Sequence, residues 1–114
     1  MMKPIGPYSP YVKGGGFIFI SGQLGSDEEG RIIGNIEAQV RRALENLKDA
    51  IESAGGSIEK TVKVTVYLKD MRDFNAMNRI YSKYFKANAP ARTTIGVAEL
   101  PKEALIEIDA IVKV

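Results

Sequence analysis

Four side chains near the C-terminus carry most of the chemistry this chain can offer: Arg92, Thr94, Glu107 and Asp109. Arg92 and Thr94 are two residues apart in the segment 91–97, and Glu107 and Asp109 are two apart in the segment 104–112. Both segments read as β-strands, so each pair shares one face of its strand. If the two strands form an ordinary antiparallel hairpin with Val97 near Ala104, Thr94 falls opposite Glu107 and Arg92 opposite Asp109. A guanidinium presents parallel N–H donors that match a planar carboxylate. A neighbouring carboxylate can orient a water or take its proton. The set therefore suits a site that binds a small carboxylate and activates water. A plain cross-strand ion pair that stabilises the sheet accounts for the same residues, and that alternative stays open.

The residues that are absent narrow the chemistry further. The chain has 0 His and 0 Cys, which excludes Cys/His zinc sites, thiol nucleophiles, disulfide scaffolds, Ser-His-Asp triads and haem ligation by His or Cys. Sixteen Lys and Arg against fourteen Asp and Glu give a net charge of +2, with the signs mixed along the chain. Nothing in that pattern concentrates positive charge on one face as a nucleic-acid binder does. No metal site or cofactor motif is apparent. Gly14-Gly15-Gly16 precedes a strand rather than a helix and lacks the Lys-Ser/Thr end of a phosphate loop. Weaker candidates each have an ordinary alternative. Ser21-Gly22 closes a strand where a ligand can approach backbone N–H groups, or it is a simple strand end. Tyr8, on a proline-rich strap, walls a pocket or packs on a neighbour. Asn78 lies beside the apolar stripe of a helix, where a solvated polar residue is the plainer reading.

The elements that must position these residues follow from periodicity. Pro4 to Pro10 carries three prolines and cannot be helical, so it reads as an extended strap, with Gly14–Gly16 as the turn after it. The continuous apolar run Phe17–Ser21 predicts a buried strand, and Asp27-Glu28-Glu29-Gly30 a turn to a short return strand at Arg31–Ile33. From Ile36 the apolar residues recur at helical spacing through Val40, Leu44, Leu47, Ile51 and Ala54, with Asn35 as N-cap and Gly55 as the C′ residue. Thr61–Lys69 alternates strictly, with Val62, Val64, Val66 and Leu68 on one face. A second helix starts at Asp70 or Asp73, runs along Phe74, Met77, Ile80 or Tyr81, Tyr84 and Phe85, and ends by Pro90.

The order is β-β-α-β-α-β-β in one domain spanning residues 1–114. Two helices cannot cover both faces of such a sheet, so both pack on one face of a mixed β-sheet, an α/β two-layer sandwich of the α+β kind. In the last strand, Ala104, Ile106, Ile108, Ala110 and Val112 face the helices. The opposite row, Leu105, Glu107, Asp109, Ile111 and Lys113, mixes apolar side chains with carboxylates. Burying a Leu or Ile contributes roughly 1.5–3 kcal/mol, so that face suits an interface in a homo-oligomer. No apolar run reaches the ~20 residues of a membrane span. Met1-Met2-Lys3-Pro4 lacks the apolar core of a secretion signal. The expectation is a soluble cytoplasmic protein.

Four segments in order carry a resemblance over essentially the whole chain: Ile5-Gly6-Pro7-Tyr8-Ser9-Pro10, Ile20-Ser21-Gly22-Gln23, Pro90-Ala91-Arg92 and Ile106-Glu107-Ile108. Together they resemble the RidA family (reactive intermediate/imine deaminase A, also called the YjgF family). The resemblance implies a chorismate-mutase-like fold and a homotrimer with active sites between subunits. It also implies hydrolysis of reactive 2-imino acids and their enamine tautomers to 2-oxo acids and ammonia, without metal or organic cofactor. It assigns carboxylate binding to Arg92, water activation to Glu107, and pocket positions to Tyr8, Ser21, Gly22, Asn78 and Thr94. Thr94 stands where many family members carry Cys, so thiol-based regulation would be absent and the preferred substrate size could differ. Two other roles stand as alternatives: an RNA-directed translation inhibitor or ribonuclease, and a non-catalytic carboxylate-binding module or holdase.

Overall fold

A computed structural model describes residues 5–114. The strands are β1 (Tyr11–Gly14), β2 (Phe17–Leu24), β3 (Thr61–Leu68), β4 (Ala91–Gly96) and β5 (Ile106–Lys113), and the helices are α1 (Ile36–Ser53) and α2 (Phe74–Tyr81). The element string is the predicted one, but its first two strands are not the predicted pair. β1 grows out of the proline strap, whose Pro4 lies outside the described residues, and pairs antiparallel with β2. Gly15 and Gly16 make the turn between them at φ +60° and +85°, values that suit a hairpin and that a side chain would resist. The expected return strand at Arg31–Ile33 is reduced to one bridge, Ser26 to Ile32. Its turn forms nonetheless, because Asp27 Oδ1 accepts from the N–H groups of Glu29 and Arg31 at 3.0 and 2.9 Å.

The local helix signals hold. Asn35 Oδ1 caps α1 by accepting from the Ala38 N–H at 3.1 Å. At the other end Gly55 N–H donates to Glu52 and Gly56 N–H to Ile51, the doubled bond pattern of a left-handed C-terminal cap. The second helix is shorter than its apolar stripe. It stops at Tyr81, and Tyr84 and Phe85 pack from the turns that follow rather than from the helix itself.

The sheet order is β1-β2-β5-β3-β4, with β4 parallel to β3 and all other neighbours antiparallel. The predicted β4–β5 hairpin is therefore wrong: β3 lies between them. Residue patterning explains it. β5 is apolar on one face and half-buried on the other, as a central strand needs, whereas Ala91-Arg92-Thr93-Thr94 suits an edge.

Both helices pack on one face, and the core lies between them and Ile18, Ile20, Val64, Val66, Leu68, Ile106, Ile108, Ala110 and Val112 of the sheet. Two strand assignments shift. Phe17–Ser21 is not buried throughout; it alternates, leaving Phe17 and Phe19 36% and 45% exposed on the helix-free face. In β3 a register irregularity between Thr61 and Lys63 buries Thr61 and turns Val62 outward, against the strict alternation expected. Among the described residues no helix is long and apolar enough to cross a membrane.

Candidate active site

Glu107 lies on the helix-free face near the start of the central strand β5, with Leu24 of β2 on one side and Tyr67 of β3 on the other. Beside it β2 is irregular. Ile20 pairs with Ala110 and Gln23 with Ile108, so Ser21 and Gly22 together span the place of Asp109 alone. That extra residue is a β-bulge, a device that bends a strand and re-aims what it carries. Gly22 is required there by close approach: a Cβ would lie 2.7 Å from Glu107 Cδ and overlap its carboxylate oxygen. The bulge also anchors the strap. Ser21 Oγ donates to the Ser9 carbonyl at 2.6 Å and Ser21 N–H to the Pro10 carbonyl at 3.0 Å. Tyr8 is thereby held over a cleft of about 260 Å³ walled by Ser21, Gly22 and the 28–30 turn. Lys102, whose Nζ donates to the Gly30 carbonyl at 2.6 Å, closes its far side.

Burial pushes the Glu107 carboxyl above the usual carboxylate range, and the Asp109 charge adds to the effect. A carboxylate that holds its proton more tightly is a stronger base once ionised. Asp109 itself accepts from Tyr67 Oη at 3.1 Å. Burial is also the main reason that the Tyr67 phenol is raised, so it stays a proton donor.

Arg92 is elsewhere. Parallel pairing sets Arg92 beside Val64 and Thr94 beside Val66, and both valines point into the core. Arg92 and Thr94 thus face the helix side of the sheet, and Glu107 and Asp109 the opposite side. The expected placements of Thr94 opposite Glu107 and Arg92 opposite Asp109 are overturned, and with them the cross-strand ion pair. The Arg92 guanidinium instead stacks over the Tyr81 ring, 4.7 Å from its centroid, and lies 5.7 Å from that of Phe74. Its Nη1 approaches the Met77 sulfur at 3.9 Å, and its charge acts on the Tyr81 phenol. Arg31, Arg41, Arg72 and Arg79 all have carboxylate partners; among the described residues Arg42 and Arg92 have none, and of these Arg92 is the one stacked on rings. A half-buried guanidinium stacked on rings without a carboxylate partner is built to receive an anion.

Asn78 belongs to this second cluster. It is partly buried rather than solvated, and its Oδ1 lacks a partner, as does the Oη of Tyr81. The seven predicted site residues therefore divide. Tyr8, Ser21, Gly22 and Glu107 gather on the helix-free face, and Arg92, Asn78 and Thr94 gather beside α2. The reading from sequence missed the shelf under Arg92, because Phe74, Met77 and Tyr81 carry an ordinary core spacing. It also missed Tyr67, which looked like one more outward residue of β3. Among the described residues no three carboxylates converge to hold a metal ion.

Comparison with known proteins places this geometry in context. Residues 1–114 match the Endoribonuclease L-PSP family. A RutC family protein of Pyrococcus abyssi is 52% identical over 111 residues, covering 96% of this chain and 87% of the relative. The 2-iminobutanoate/2-iminopropanoate deaminase of Homo sapiens is 44% identical, covering 94% of this chain and 80% of that one. The crystal structure of RidA from Psychrobacter sp. PAMC 21119 superposes with a TM-score of 0.95 at 38% identity, covering 98% of this chain and 92% of that one.

Proposed function

The chain belongs to the Endoribonuclease L-PSP family, which includes the RidA and RutC proteins, and from that premise we propose that it hydrolyses 2-imino acids to 2-oxo acids and ammonia. The observation that carries this reading is the guanidinium of Arg92 on its aromatic shelf with no carboxylate partner, matched in the same chain by a half-buried carboxylate, Glu107, packed against Gly22. The relatives named as imine deaminases, 38% and 44% identical to this chain, support it.

Because the two clusters lie on opposite faces of one sheet, a working site takes Arg92 from one copy and Glu107 from another. The exposed apolar side chains Phe17, Phe19 and Ile95 on the helix-free face suit burial between copies, and a closed homotrimer is the assembly we propose. In the reaction, Arg92 clamps the substrate carboxylate through two parallel N–H donors. Asn78 Oδ1 and Thr94 line the same pocket. From the other copy, Tyr8 limits solvent, Ser21 holds the strap, and Gly22 leaves room for Glu107 to reach a water. Glu107 takes a proton as the water oxygen bonds to the imine carbon. Glu107 returns that proton to the nitrogen to give the tetrahedral carbinolamine, then relays the carbinolamine hydroxyl proton to the same nitrogen as the C=O bond forms and the C–N bond breaks, releasing ammonia and the 2-oxo acid. Positioning and acid–base help, the latter worth roughly 10²–10⁴-fold, are enough for a bond that water already attacks slowly. The sixteen Lys and Arg are mixed with fourteen Asp and Glu along the chain rather than gathered in a basic stripe, so the ribonuclease name of the family does not guide the reading.

The test generates 2-iminopropanoate in place with an amino-acid oxidase and traps residual imine with semicarbazide. Wild-type protein should cut semicarbazone formation, and Arg92→Ala should not. Wild type matching buffer across several imine side chains overturns the enzyme reading; tight carboxylate binding without turnover would then favour a binding module.

A further inference from the structure

The hydrolytic reading leaves one cluster unused. Tyr67 stands directly across from Glu107 in the β3–β5 register, yet its hydroxyl donates along the diagonal to Asp109 Oδ2 at 3.1 Å. Asp109 is the next residue on the same face of β5, about 7 Å along the strand. Glu107 accepts no side-chain or backbone donor among the described residues, while its neighbour carboxylate is tied in place. No cation of the described residues pairs with Glu107: Lys102, across the cleft, donates to the Gly30 carbonyl, and in the proposed assembly the positive charge facing Glu107 is Arg92 of the adjoining copy. β2 offers Leu24 and the Ser21–Gly22 bulge, and the strap offers Tyr8. Lys63, the cation of β3 on this face, is directed to Thr93 Oγ1 at 2.7 Å.

We propose that the Tyr67–Asp109 pair is a positioning device for Glu107: the phenol pins the Asp109 carboxylate on the same face of β5 and so keeps a fixed negative charge next to the base. The inference rests on Glu107 as the water-activating base. It is consistent with the direction of the Glu107 shift, to which burial contributes first and Asp109 second. An unpinned Asp109 would turn toward solvent, where screening removes most of its influence.

The sign is definite. A like charge disfavours ionised Glu107, so removing it lets Glu107 ionise at lower pH. The experiment records kcat/KM against pH for wild type, Asp109→Asn, Tyr67→Phe, the double variant and Asp109→Glu, with 2-iminopropanoate. The acid limb should move to lower pH in Asp109→Asn and by a smaller amount in Tyr67→Phe. The double variant should match Asp109→Asn alone, because the phenol acts only through that charge. Asp109→Glu should return the limb toward wild type. A folded, active Asp109→Asn whose limb overlays wild type overturns the proposal. If that variant does not fold, an unmoved limb in Tyr67→Phe overturns it equally. The ¹³C titration of the Glu107 carboxyl in wild type and each variant reads the same displacement without turnover. Inactive wild type with a displaced titration would defeat the deaminase reading alone, and active wild type with undisplaced titrations would defeat this inference alone.

Discussion

Mixing two dead variants should regenerate a live enzyme. The perturbation pairs Arg92→Ala, which removes the anion fork beside α2, with Glu107→Gln, which removes the base on the helix-free face. Arg92 lies on the core side of β4 beside Val64, and Glu107 projects from the other side of β5, with β3 between the strands. No rotamer carries either group through a packed sheet, so one chain cannot bring them together. In any closed ring where each site takes Arg92 from one copy and Glu107 from the next, equal mixing leaves half the copies with an intact Arg92 and half with an intact Glu107. Random exchange therefore rebuilds about a quarter of the sites. The assay unfolds the two purified variants together, refolds them as a mixture, and follows semicarbazone formation against each variant refolded alone. Recovery near a quarter of wild-type activity per site is expected. A mixed assembly demonstrated by mass spectrometry that stays as inactive as its parents would refute the shared-site reasoning. Each variant active by itself would refute the residue roles.

Three further outcomes follow from the geometry. Gly22→Ala places a methyl 2.7 Å from Glu107 Cδ, so the carboxylate must shift by about 1 Å, a displacement that can cost about 10²-fold in kcat; wild-type kcat in a folded Gly22→Ala would remove the close-approach argument. Glu107→Gln should lose turnover while gaining stability at neutral pH. The folded Glu107 holds its proton more tightly than the unfolded chain does, so ionising it opposes folding as pH rises through its titration. Melting curves of the two proteins should differ at pH 7 and converge at about pH 3, where both carboxyl states are protonated. Asn35→Ala removes the acceptor for the Ala38 N–H and should cost ~1 kcal/mol in denaturant unfolding, with activity at low denaturant unchanged.

The long helix was readable from sequence because everything that defines it is local. Asn35 meets an N–H three residues on, Gly55 ends the last turn, and the Val40–Ile51 stripe repeats at helical spacing. The faces of β5 were readable for the same reason: Ile106 and Ile108 inward and Glu107 and Asp109 outward is a parity that no neighbour can alter. The site residues were candidates by type and spacing, with ordinary alternatives beside them, and the family resemblance assigned their roles. What the sequence did not settle was which strand lies beside which. Arg92 and Asp109 looked like partners because the strands bearing them are consecutive, and consecutive strands usually pair. Tertiary packing decided otherwise. β5 buries both of its faces at least in part and is most stable with hydrogen-bonded strands on both edges, so it lies between β2 and β3. β4, polar and short, joins the far edge of β3 in parallel. That placement puts Arg92 and Glu107 on opposite faces of the sheet, and the division of the site follows from it, because a side chain's face is set within its own strand but its company is set by the sheet.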